Sequence, residues 1–172
     1  MPLIKNGTVI ADPFVTVSDD APLPEGPVIV TAARFFADTA ALLDRETPVG
    51  VIWPNNKNVA ELAPSLDRIA AVALVFPNFK DGRAYSQARL LRERYGWRGE
   101  LRATGQILRD QFVFLVRAGF DALDVKKDAD TDAFAAALAR YTVFYQPTGE
   151  GRTPAMRLRA EKAPEVQVGE KV

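Results

Sequence analysis

The chain has 172 residues, of which 48% are hydrophobic, and its 22 basic side chains are balanced by 22 acidic ones. That length and apolar content imply one folded domain with a sizeable core, and the balanced charge argues against a nucleic-acid or membrane-surface role. Cysteine and histidine are both absent, which excludes disulfides, thiol redox chemistry, protein-held iron–sulfur clusters, His/Cys zinc sites and histidine-activated nucleophiles.

Proton transfer, if there is any, falls to Asp, Glu, Lys or Tyr, and a metal would need oxygen ligands. No apolar run approaches the ~20 residues of a membrane span, and the first ten residues do not resemble a signal peptide. The expectation is a soluble, cytoplasmic protein with no membrane or nucleic-acid partner.

Residues 3–17 predict a small β element. Leu3-Ile4 and Thr8-Val9-Ile10 flank Asn6-Gly7, a strong hairpin signal, and Phe14–Val17 is the candidate third strand. A loop rich in Pro and Asp follows over residues 18–27. Val28-Ile29-Val30 is a short apolar strand. Thr31 can cap a helix over residues 32–44, ended by Pro48. Val49–Trp53 is the next strand. Asn58, with Glu61 three residues on, fits the start of a short helix that Pro64 interrupts. Ala71–Phe76 is the most apolar strand and predicts burial on both faces.

A helix is predicted over residues 83–95, with Ala84, Ala88, Leu91 and Tyr95 inward, Arg89, Arg92 and Glu93 elsewhere, and Gly96 at its end. Glu100–Thr104 alternates as a strand and Gly105 turns the chain. Residues 107–118 then predict a helix that is apolar over most of its circumference, suited to burial or to a partner. Gly119 ends it, before a strand over residues 120–125. Asp130 or Thr131 can cap a further helix to Tyr141, and residues 142–145 are a candidate last strand. Residues 147–172 predict an extended or flexible tail after a single domain over 1–146.

Strands alternating with helices predict repeated βα units and a mainly parallel sheet, either a partial barrel or an open doubly wound sheet, plus the N-terminal hairpin. Ligands gather at the carboxyl ends of such strands. Asp81, Gly82 and Arg83 follow one strand there, and Gly105 follows the next. Alternation puts Glu100, Arg102 and Thr104 on one face, so an internal strand would carry an ion pair inward. Asp110 and Gln111 lie just beyond. Asn55 and Lys57 follow a third strand, most simply as a plain loop. Ser86 has no histidine to activate it, so it can only bind. Tyr85, Tyr95 and Trp97 read as packing residues. No nucleotide-binding glycine fingerprint is present.

The run from Phe76 to Gln111, FPNFKDGRAYSQARLLRERYGWRGELRATGQILRDQ, resembles a bacterial family numbered 934 in the series of domains of unknown function. The resemblance covers residues 30–145. It takes in Asp81, Gly82, Arg83, Ser86, Arg89, Gly99, Glu100, Arg102, Gly105, Asp110 and Gln111. Members carry the label of oxidoreductases in sulfite reduction, because their genes lie beside that of the sulfite reductase haemoprotein. The resemblance therefore implies a role near that enzyme; it implies no catalytic residue and no cofactor.

Two functional expectations stay open. One is an accessory protein of assimilatory sulfite reduction that binds the reductase, or a small oxyanion such as sulfate, sulfite or phosphate. Its ligand residues would be Asp81, Gly82, Arg83, Ser86, Arg89, Arg102, Gly105 and Gln111. The other is a small βα enzyme acting on a phosphorylated or carboxylated metabolite, with Asp81, Glu100 or Asp110 as acid/base. A plainer reading makes the polar motif an ion-pair network between the subunits of a homodimer. No resident cofactor and no metal are expected.

Overall fold

A computed structural model describes residues 3–5, 7–124, 129–141, 143–146 and 153–162. Eight strands form one sheet that curls into a half-barrel, in the order β2-β1-β8-β7-β6-β5-β4-β3. The strands are β1 (Leu3–Lys5), β2 (Thr8–Ile10), β3 (Val15–Val17), β4 (Val28–Thr31), β5 (Val49–Trp53), β6 (Ile69–Phe76), β7 (Glu100–Gly105) and β8 (Ala122–Asp124). β3 to β8 run parallel; β1 runs antiparallel to both β2 and β8. The expected parallel core is present, with β6 between two parallel neighbours.

Period-2 alternation gives the sheet two different faces. One carries Val30, Val51, Trp53, Val72, Leu74, Leu101, Ala103 and Leu123, all buried against the helices. On the other face Ile52, Ala73, Arg102 and Ala122 stand in one row across four strands, and Gly50 lies beside Ile29. Gly50, Ala73 and Ala122 keep part of this inner face free of bulk. A Cβ on Gly50 would meet the Ile29 side chain at 2.9 Å.

The helical layer is built from short pieces. α1 (Ala32–Ala37) is capped by Thr31, whose hydroxyl accepts from the Arg34 N–H. α2 (Thr39–Leu43) follows after a break at Asp38, where the Thr39 hydroxyl donates back to the Phe35 carbonyl. The single helix expected over 32–44 is therefore two. A 3₁₀ helix at Val59–Ser65 starts on Asn58, whose side chain accepts from the Ala60 N–H. α3 (Arg83–Arg89) continues as a π-helix at Leu90–Arg94. A 3₁₀ turn at Arg109–Gln111 leads into α4 (Phe112–Ala118), which Gly119 closes with φ +98°.

Four further details depart from the sequence reading. β3 does not join the hairpin; it pairs with β4 at the opposite edge, because residues 11–14 carry the chain across the sheet. α5 (Ala129–Arg140) begins ahead of both expected caps, whose side chains lie outside the described residues. Val143–Gln146 forms no strand, and Thr142 lies outside the described residues. Within the expected tail, Ala155–Lys162 forms a helix, α6, with no buried residue. Its sequence, AMRLRAEK, is rich in strong helix formers. Residues 147–152 and 163–172 lie outside the described residues.

Candidate functional site

The polar residues expected to act together divide between the inner face of the sheet and the rim at its strand ends. On the inner face Arg102 is 2% exposed and bonded through all three of its nitrogens. It donates Nη1 and Nη2 to the two oxygens of Asp12 (2.6 and 3.0 Å), and Nη2 and Nε to Glu100 Oε1 (2.7 and 3.2 Å). Lys5 Nζ donates to the other Glu100 oxygen at 2.7 Å. The Phe14 ring covers the guanidinium at 5.7 Å. Asp124 stands 3.9 Å from Arg102 Nη1.

These neighbours shape the titrations. Burial works against the charge on Asp12 and on Glu100, yet bonds from Arg102, and from Lys5 to Glu100, hold both below their ordinary values. Burial wins at Asp124, whose carboxyl is pushed up despite Arg102 and the Thr104 hydroxyl. The network borders a cavity of about 260 Å³, whose wall includes Asp12, Arg102, Thr104 and Asp124. Alternation along β7 had signalled Glu100 and Arg102. Asp124 obeys the same alternation in β8 but was missed. Asp12 lies 90 residues from Arg102 and carried no local signal.

The rest of the motif builds the rim at the carboxyl ends of β6 and β7. Gln106 N–H donates to the Phe76 carbonyl at 2.7 Å, and Gln111 Nε2 to the Phe79 carbonyl at 3.0 Å, so the two loops do lie together. Asp81 receives Arg83 Nε and Nη2 at 3.0 and 2.7 Å. Those bonds hold the Asp81 carboxyl far below the usual range. Arg89 pairs with Glu93 on the exposed side of the helix, and Ser86 is exposed nearby. Arg89 and Gln111 also line a groove of about 490 Å³ with Tyr85, Phe114, Arg117 and Ala118. Burial, helped by the nearby charge of Asp110, pushes the Tyr85 hydroxyl up to about 12.

The rim is also apolar. Phe79, Leu108 and Phe114 are 50%, 45% and 62% exposed. Single exposed apolar residues are ordinary, but these three large ones lie on neighbouring segments of the rim and make it an apolar patch. The near-continuous apolar circumference of residues 107–118 was the signal for it. The loop after β5 does more than connect. Asn55 is buried, and Gln87 Nε2 donates to the carbonyls of Pro54 and Lys57 (3.1 and 2.8 Å), tying this loop to α3.

Gly105 fixes how closely the two loops approach. Its φ is +101°, and an added Cβ would stand 2.4 Å from the Phe76 carbonyl oxygen. Gly105→Ala is expected to cost about 1–3 kcal/mol, the range for non-glycine residues forced into such backbone. Urea unfolding checks this, and an unchanged midpoint would mean that the loop relaxes freely.

Fold and site together define a half-barrel α/β protein with an ion-pair network inside the curl and an arginine-rich, aromatic rim at the strand ends. Its family follows from the sequence of that rim and its surroundings: the chain belongs to the family described as bacterial protein of unknown function (DUF934), whose model matches residues 50–156. A comparison with curated proteins finds no match.

Proposed function

We propose that this chain is an accessory protein of assimilatory sulfite reduction, and that it docks on the reductase through the rim. The observation that supports this reading is the exposure of Phe79, Leu108 and Phe114 beside the motif's arginines. A surface of apolar anchors ringed by charge suits a protein partner better than a small substrate. An oxyanion at Arg102 has less support, since four of its five N–H donors are already given to Asp12 and Glu100. The acid/base candidates also stand apart: Glu100 lies on the inner face, whereas Asp81 and Asp110 lie along the rim. A cytoplasmic location belongs to the same proposal. Among the described residues no helix is long and apolar enough to cross a membrane.

The test is direct titration of purified sulfite reductase haemoprotein with the chain. Saturable binding is expected, weakened about tenfold or more by Phe114→Asp or Phe79→Asp, the loss typical of an interface anchor. Both variants should melt like the parent, because both side chains are exposed. No binding by the parent, or undiminished binding by both variants, overturns the proposal. A chain that elutes as a dimer, and as a monomer once Phe114 is replaced, assigns the rim to self-association instead.

A further inference from the structure

The cavity inside the curl has no part in the docking surface, yet its lining is chemically selective. Its apolar side is Ile29, Ile52 and Ala73; its polar side is Asp12, Arg102 and Asp124, with the Thr16 and Thr104 side chains completing the wall. Asp12 and Asp124 both approach one guanidinium nitrogen, at 2.6 and 3.9 Å. Behind it, Lys5 and Glu100 cancel each other. Counted formally, with both aspartates ionised, the cavity wall sums to one negative charge.

That sum selects the ligand. An anion would meet two carboxylates, and four of the arginine's five N–H donors are already given to Asp12 and Glu100. A bare divalent ion would meet that arginine's positive charge, and no group of three or more metal-ligating side chains exists among the described residues. A quaternary ammonium prefers aromatic faces, and none of these lining residues is aromatic. A primary ammonium differs on each count. It brings three donors, and Asp124 has acceptor positions left after its bond from Thr104. Its carbon chain can lie against Ile29, Ile52 and Ala73, and the volume admits several heavy atoms. Approach from the strands' carboxyl ends is the usual route into a parallel barrel.

We infer that the concave face of the half-barrel binds a small primary alkylammonium ion, with Asp124 as its anchor and Ile29, Ile52 and Ala73 as the bed for its chain.

The probe is n-butylammonium chloride, titrated into the ¹⁵N-labelled protein at matched ionic strength. n-Butanol, sodium butyrate and tetramethylammonium chloride serve as controls. Saturable shifts are expected at the Ala73, Thr104 and Asp124 amides, and not at Phe114. The three controls should give no saturation there. Asp124→Asn should weaken butylammonium about tenfold or more while the protein still folds, since the change removes a desolvated charge. Ala73→Leu should weaken it as well, by filling the bed. No saturable shift in the parent, shifts confined to the rim, or equal affinity for butyrate overturns the inference, whatever the variants do. Undiminished affinity in a folded Asp124→Asn also overturns it. Because the probe site lies on the opposite face from the helices that carry Phe114, this result and the reductase titration stand or fall separately.

Discussion

Arg102→Leu is expected to destabilise the protein by about 3–5 kcal/mol, the cost of breaking a buried ion pair from one side. The side chain is 3% exposed, and it neutralises Asp12 and Glu100 directly and Asp124 at longer range. Leucine fits the space but leaves those carboxylates in a low-dielectric setting with only Lys5 against them. At this chain length each kcal/mol shifts the melting temperature by roughly 2–4 °C. The pH dependence carries a second signature. Asp12 and Glu100 have lowered values in the folded protein, so their contribution is present above their ordinary range and is lost as pH falls through their folded values. Without Arg102 the same carboxyls are penalised while charged and relieved when protonated. The gap between parent and variant should therefore be widest near neutral pH and shrink between roughly pH 5 and pH 3. Chemical unfolding at both ends of that range checks it. A gap that stays constant with pH would mean that lost packing, not charge, is responsible.

Arg92→Leu should cost a similar amount, about 3–5 kcal/mol, for a different reason. Arg92 is a clamp. Nε donates to the Gly119 carbonyl at 2.9 Å, Nη1 to the carbonyls of Trp97 and Gly99 at 2.8 and 2.9 Å, and Nη2 to Asp121 at 2.5 Å. One side chain thus ties the end of the π-helix to the starts of β7 and β8. Removing it strands three carbonyls and leaves the Asp121 carboxylate, 38% exposed, with the bond from the Leu101 N–H. Arg92→Lys should recover only part of the loss, since one ammonium cannot copy a planar fork with five donors. Full recovery with lysine would show that only the charge matters. Melting curves of the three proteins decide between these outcomes.

Arg92 also marks where the sequence stops being legible. The residues from Ala84 to Tyr95 follow a 3.6-residue period, which puts Arg92 off the apolar face. The chain leaves that period at Leu90: Tyr95 N–H bonds to the Leu90 carbonyl five residues back, and Trp97 N–H to that of Leu91. The wider π turn rotates Arg92 inward. Nothing local announces this, because its acceptors come from turns up to 29 residues away. By contrast, the strands from Val28 to Gly105, the capping by Thr31 and Asn58, and the glycine at 119 were readable, since each depends on neighbours within a few residues. The site divides the same way. Alternation in β7 placed Arg102 beside Glu100, and β6 and β7, as parallel neighbours, put the motif's loops on one rim. The partners that decide what Arg102 can do, Asp12 and Asp124, come from a hairpin exit and a distant strand. Those depend on topology, which periodicity does not encode.

The position of β1 bears on biosynthesis. Its neighbours in the sheet are β2 and β8, and Leu3 pairs with Asp124. The ion pairs Lys5–Glu100 and Asp12–Arg102 also join the beginning of the chain to its far part. During vectorial synthesis at ~5–20 residues per second, the first hairpin waits roughly 6–24 s before β8 exists to receive it. In that interval Leu3 and Ile4, buried in the finished fold, have no sheet to join. The sheet from β3 to β7 can assemble first, from shorter loops, and the hairpin closes last. Such high contact order at a single seam predicts a slow final folding step confined to the N-terminus.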